Sequence, residues 1–255
     1  MRRKVIIHTA KEIAGIRLAA QAAGRVRDAL CKQICPGMTT LAVDQLAAEL
    51  IADTGGTPAF HGYRGFPGTI CVSVNDEVVH GIGRADRVLM PGDVVSVDVG
   101  VTLNGFIGDT AASVCVGSAF TAESAGLTKV TLECLHQAID AARGGNYIRD
   151  IGAAVQRHAE SAGYSVVRDF VGHGCGCDLH EPPEVPNFKT PQRGPRLVPG
   201  MVLAIEPMIN AGGEDVFIED DNWTVRTIDG SLSAHYEHMV LITQKEAEIL
   251  TWPKM

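Results

Sequence analysis

Val43, Leu46, Ala47 and Leu50 recur three and four positions apart, which predicts an apolar stripe along a helix ending near Gly55-Gly56. Upstream, Thr9-Ala-Lys-Glu12 has the form of a capping box, in which a hydroxyl and a carboxylate satisfy free amides at a helix start. That first helix should run to about Gln33 or Ile34, where Pro36-Gly37 breaks it, so the chain opens with a helical hairpin. Ile70-Cys71-Val72 and the alternating Val94–Val101 are β-branched runs that predict strands. A second helix pair follows between Thr121 and Gly163, and further strands near Val202–Ile205, Thr224–Thr227 and Met239–Ile242.

Helix, helix, strands thus occurs twice, and the sequence repeats with it. Met90-Pro-Gly-Asp-Val-Val-Ser-Val-Asp98 aligns with Val198-Pro-Gly-Met-Val-Leu-Ala-Ile-Glu206 at an offset of 108 positions, which also relates Gly37 to Gly145, Val43 to Ile151 and Gly55 to Gly163. One α+β domain over 1–255 is expected, built from pseudo-repeats at about 9–117 and 121–250, with a site shared across a pseudo-twofold axis.

A 255-residue chain with 45% hydrophobic residues can bury one substantial core. Its net charge of -8 and lack of a Lys/Arg stripe argue against sequence-specific nucleic-acid binding. Seven cysteines, an odd number, fit reduced thiols in the cytoplasm. Met1-Arg2-Arg3-Lys4 resembles the start of a signal peptide, but the apolar run Val5-Ile6-Ile7 stops at His8 and Lys11-Glu12 follows, so neither export nor a membrane span is expected.

The chemistry lies in acids placed where acids are costly. Asp98 sits inside a Val-rich strand, and Asp109 follows after Asn104-Gly105, a turn signal that would fold two strands back and bring the carboxylates together. Glu206 repeats the situation of Asp98, followed by Pro207, while Glu237 precedes another apolar strand and carries little signal alone. Gly172-His173-Gly174 and His180-Glu181-Pro182 add two histidines in a glycine-rich stretch. Four carboxylates and one imidazole suit two divalent cations sharing bridging carboxylates. A soft-ligand zinc site at Cys175-Gly-Cys177 with His173 and His180 is a rival, which would leave the four acids unexplained.

Gly62-Tyr-Arg-Gly-Phe-Pro67, Ser73-Val-Asn-Asp-Glu-Val-Val-His-Gly81, Val97-Asp98, Gly108-Asp109-Thr110, Gly172-His173-Gly174, His180-Glu181-Pro182, Ile205-Glu206-Pro207-Met208 and Tyr236-Glu237-His238 together resemble the type I methionine aminopeptidases. The resemblance spans nearly the whole chain. It implies the pita-bread fold, a curved antiparallel sheet flanked by helices, and removal of the initiator methionine from nascent chains with a small second residue. It also implies a dinuclear centre of cobalt, iron, manganese or zinc. Asp98 would chelate one ion, Asp109 and Glu237 would bridge both, and His173 with Glu206 would complete the other, around a bridging hydroxide. Glu206 would also shuttle a proton, while His80 and His180 would bind substrate and the developing oxyanion.

The positions matching the family's methionine pocket are Phe60, Tyr63, Phe66, Cys71, Leu179 and Trp223. Phe60, where many members carry Cys, would narrow that pocket. The resemblance further implies a monomer working on nascent peptide N-termini near the ribosomal exit tunnel, and retention of the protein's own Met1 before the large Arg2. The alternatives are an Xaa-Pro aminopeptidase or dipeptidase of the same fold and a binding relative without catalysis.

Overall fold

The computed structural model describes residues 5–252. The basic start Met1–Lys4, and with it the expectation for Met1, lies outside the described residues. The first half supplies α1 (Ala10–Gln33), α2 (Thr40–Asp53), β1 (Thr57–Pro58), β2 (Cys71–Val74), β3 (Glu77–Val79), β4 (Val94–Leu103) and β5 (Phe106–Cys115). The second supplies α3 (Ala122–Ala141), α4 (Ile148–Ser161), β6 (Ser165–Val166), β7 (Gly172–Gly174), β8 (Glu181–Val185), β9 (Val202–Ile205) and β10 (Met208–Asn210). It ends with β11 (Val216–Ile218), β12 (Val225–Thr227), β13 (Ser233–His235), β14 (His238–Leu241) and β15 (Glu248–Ile249).

The helices start where their caps predict. Thr9 Oγ1 accepts from the Glu12 amide at 3.3 Å and Glu12 Oε2 accepts from the Thr9 amide at 2.7 Å, the reciprocal pair of a capping box. Asn104 and Gly105 both have positive φ, 53° and 79°, as a two-residue hairpin turn requires, and this sets Leu103 opposite Phe106. Register follows from there: Gly100 faces Asp109 and Asp98 faces Ala111, which puts the two aspartates diagonally across one face of the β4–β5 ladder. The other face of β4 presents Val95, Val97, Val99 and Val101 to a core shared with Val26, Leu30, Val43 and Ile51 of α1 and α2. Burial of each such side chain contributes about 1.5–3 kcal/mol, and shifting β4 by one residue would put Asp98 into that core.

In the second half α3 and α4 cover β9 and β14 through Leu135, Ile139, Ile151, Val155, Leu203 and Val240. Here the ladder is interrupted. β9 pairs with β14 and β10 pairs with β13, but Glu206-Pro207 separates β9 from β10, and Tyr236-Glu237 separates β13 from β14. Proline has no amide to donate, so the gap is local and leaves Glu206 free of the ladder. The interrupted pair lies against β5: the Glu237 amide donates to Ala111 O at 2.9 Å, Thr110 Oγ1 to Glu237 O at 2.8 Å and Ser113 Oγ to His235 O at 2.8 Å. Ile16 and Ala20 of α1 pack with Val202, Ala204 and Met239 beneath this junction.

Candidate active site

All five acidic and imidazole candidates come to that junction. Asp98 interrupts a buried strand and reaches a cavity from β4, Asp109 enters from β5, His173 from β7, and Glu206 and Glu237 from the two ladder gaps. Asp109, His173 and Glu237 are buried and offer donor atoms within 4.8 Å of one another. Asp98, inside β4, and Glu206, in the gap after β9, are half-buried because each carboxylate faces the cavity. His173 Nδ1 lies 2.9 Å from Gly174 O, to which it can only donate. Nε2 is then the lone-pair nitrogen, 3.3 Å from Glu206 Oε1 and 3.9 Å from Asp109 Oδ2. Burial lowers the His173 pKa to about 3, so the imidazole is neutral and fit to ligate.

Asp98 Oδ1, Asp109 Oδ1 and Glu237 Oε1 are buried without a hydrogen-bond partner. One such orphan costs roughly 1–3 kcal/mol. Burial raises the Asp98 carboxyl to about 7, and burial followed by mutual repulsion raises Asp109, Glu206 and Glu237 well above the ordinary carboxylate range. Like charges held this way are unstable alone and are complementary to divalent cations, so the donor set fits hard, oxygen-preferring metal ions with one imidazole.

The same cavity, about 170 Å³, is lined by all the remaining candidates: His80, His180, Phe60, Tyr63, Phe66, Cys71, Leu179 and Trp223. Phe60, Phe66, Cys71 and Leu179 form one buried apolar cluster with Tyr63 and Trp223 packed against it. Phe60 occupies that space because Gly100 leaves room for it: a Cβ on Gly100 would lie 2.7 Å from Phe60 Cδ1. His180 Nδ1 lies 2.9 Å from the Tyr63 hydroxyl, and the two rings stack at 5.3 Å, which fixes the imidazole against the pocket wall. His80 has φ of 59° and packs edge-on against Phe170 and Trp223. Burial holds its pKa at about 4.

Sequence reasoning missed several neighbours. His235 is buried, its Nε2 is unpartnered and lies 3.9 Å from Glu206 Oε2, and its spacing of two from Glu237 was the available signal. Arg27 of α1 is buried and donates to Thr110 Oγ1 at 2.6 Å, next to Asp109; an arginine within an exposed-looking helix gives no such signal. Phe170, Val79 and Met208 complete the apolar wall. The rival cysteine cluster does not assemble: among the described residues, Cys175 is fully buried beside Ile16 and Ala20, and Cys177 joins His8 and Glu181 instead.

The model of metallopeptidase family M24 matches residues 14–244. The methionine aminopeptidase of Clostridium acetobutylicum is 47% identical over 97% of this chain and 98% of its own. Methionine aminopeptidase 1 of Bacillus subtilis is 45% identical over 97% and 99%. Among solved structures, the methionine aminopeptidase of Thermotoga maritima superposes with a TM-score of 0.94 at 42% identity, covering 97% of this chain and 99% of that one. A prolidase from Pyrococcus furiosus shares the fold alone, with a TM-score of 0.79 at 24% identity over 98% of this chain and 66% of its own.

Proposed function

The chain belongs to metallopeptidase family M24, a hydrolase family dependent on divalent metal ions, and from its likeness to the methionine aminopeptidases we propose that it removes N-terminal methionine from peptides with a small second residue. The observation that carries this reading is one cavity in which unpartnered carboxylates face an apolar, thiol- and aromatic-lined pocket. The pita-bread fold it shares with aminopeptidases and prolidases supplies the frame. The two halves, 9–117 and 121–250, act as one catalytic domain, each contributing acids to the centre.

Asp98, Asp109, His173, Glu206 and Glu237 would together hold two divalent cations, with Asp98 toward one, His173 and Glu206 toward the other and Asp109 and Glu237 between them; cobalt, iron, manganese and zinc would all suit the donors. When bound, such ions act as Lewis acids and lower the pKa of water from about 16 toward about 7. The remaining steps belong to side chains. Glu206, half-buried with its carboxylate facing the cavity, accepts a proton as water is activated and returns it to the leaving amine. His180, held through Nδ1 by Tyr63, keeps Nε2 for the scissile carbonyl oxygen as charge develops there. His80 faces the pocket as a neutral ring and hydrogen-bonds the substrate backbone. Phe60, Phe66, Cys71, Leu179, Tyr63 and Trp223 exclude water and pack the methionine side chain.

Nascent chains near the ribosomal exit tunnel are the natural supply of such N-termini, and a cytoplasmic monomer is the state proposed. The seven unpaired cysteines support a reducing compartment, and no described helix is long and apolar enough to cross a membrane. Release of methionine from Met-Ala-Ser with added metal tests the reading. Cleavage before proline without methionine release overturns it in favour of a prolidase, and no hydrolysis of either substrate favours a binding role.

A further inference from the structure

Away from the acids of the catalytic cavity, a second set of metal-ligating side chains converges, and it joins the segment before α1 to the loop between β7 and β8. We infer that His8, Cys177 and Glu181 form a separate site for one thiophilic divalent cation such as zinc.

Three side chains from two distant parts of the sequence meet there, with one donor atom from each lying within 4.8 Å of the others. Glu181, the first residue of β8, is oriented by the backbone of the loop before it, since its Oε1 accepts from the amides of Cys177 at 2.7 Å and Asp178 at 2.9 Å. That leaves Oε2 facing His8 Nε2 at 3.1 Å, with both side chains almost wholly buried. At that distance the two side chains contact each other directly, and His8 Nε2 has no further partner. The same separation suits two ligands on one ion, since a tetrahedral centre with bonds of about 2.0 Å has edges of about 3.3 Å.

His8 is fixed from behind. Its amide donates to Gly200 O at 2.9 Å, and a Cβ on Gly176 would lie 3.3 Å from its Cε1, so the glycine lets the ring sit against the loop. Cys177 Sγ lies at the exposed end of the group, 3.9 Å from Nδ1, the second ring nitrogen of His8, and its sulfur falls within the 4.8 Å that encloses a donor atom from each of the three side chains. Burial and then the carboxylates of Glu181, Glu12 and Asp178 keep this thiol protonated. The same negative field attracts a dication, whose charge reverses the effect and releases the thiolate. One sulfur, one imidazole and one carboxylate favour zinc over magnesium or calcium, whereas the catalytic cavity offers mainly oxygen.

Occupation would clamp the 175–180 loop, which carries Leu179 and His180, and the start of β8 to the chain just ahead of the Thr9 cap.

The test uses the full chain, stripped of metal and titrated with cobalt, because thiolate ligation gives a near-ultraviolet charge-transfer band that oxygen and nitrogen ligands do not. The wild type is expected to develop this band to one equivalent, Cys177→Ser and Cys177→Ala to lack it, and Cys71→Ser to retain it. His8→Asn should weaken zinc binding, measured against a chromophoric chelator, by about tenfold or more. Circular dichroism confirms that each variant is folded, and either serine or alanine at 177 suffices if the other is not. No band in the wild type, or a band that survives removal of the Cys177 sulfur, overturns the assignment.

Discussion

Gly100→Ala is the sharpest perturbation of the proposed methionine pocket, because it adds one methyl group and no charge. The new Cβ would lie 2.7 Å from Phe60 Cδ1 and 2.9 Å from Cζ, where ordinary contacts begin near 3.4 Å. The Phe60 ring must retreat by the better part of an ångström. Phe60 packs in one buried cluster with Phe66, Cys71 and Leu179 and lines the cavity, so the displaced ring takes up pocket space. Overpacking of this kind costs about 1–3 kcal/mol, and a displacement near 1 Å at a substrate-positioning wall costs roughly 100-fold in rate. On Met-Ala-Ser, kcat/KM should fall by about 10- to 100-fold, with a drop in Tm of about 2–4 °C per kcal/mol lost. Adding Phe60→Leu should restore most of both, since the leucine gives up the ring atoms beyond Cδ and can turn its remaining methyl groups away from the new Cβ. A cycle of the two substitutions should therefore show coupling of about 1–3 kcal/mol. Full activity in Gly100→Ala, or simple additivity in the double variant, would refute this picture of the pocket.

Glu206→Gln keeps the size of the side chain but cannot accept a proton; kcat should fall about 100-fold or more, and a variant with normal metal content and near-normal kcat would remove Glu206 from proton transfer. His80 has a pKa of about 4 in the folded protein, below its ordinary 6.5, so the unfolded chain takes up the proton first as the solution is acidified. Its contribution to stability is complete above pH 6.5 and is lost as pH falls toward 4; an NMR titration of the His80 ring with a midpoint near 6.5 would contradict this. Arg27→Met removes the buried donor to Thr110 Oγ1 while keeping the aliphatic stem, and should destabilise the protein by about 1–3 kcal/mol in urea unfolding; no loss would show that the network beside Asp109 is dispensable.

Much of this architecture was legible because periodicity and caps act locally. Thr9 and Glu12, the Asn104-Gly105 turn and the valine alternation of β4 each specify backbone geometry over a few residues, and the helix pairs begin and end near their signals. Several short strands were not legible. β8 carries Pro182 and Pro183, which argue against a strand by sequence, yet it lies at the edge of its sheet where a missing amide donor is tolerated. β1 and β6 are two residues each and exist through their long-range partners.

The site divides along the same line. Asp98 stood out because a carboxylate interrupts an apolar strand, and Glu206 because it repeats Asp98 at the same offset. Glu237 carried little signal alone; its burial comes from the ladder gap against β5, a tertiary feature. Arg27 and His8 become neighbours of the two ligand groups only after the chain folds, so residue type and spacing could not single them out, and His235 had only its spacing of two from Glu237 to mark it.

That buried carboxylates and His173 hold divalent cations beside a methionine pocket is tested most directly by removing and restoring the metal. Protein dialysed against chelator and then against graded cobalt or manganese should release methionine from Met-Ala-Ser only as metal is restored, with activity tracking bound metal and with Asp109→Ala inactive at every concentration. Methionine release that is independent of metal, or that survives in Asp109→Ala, would contradict the account.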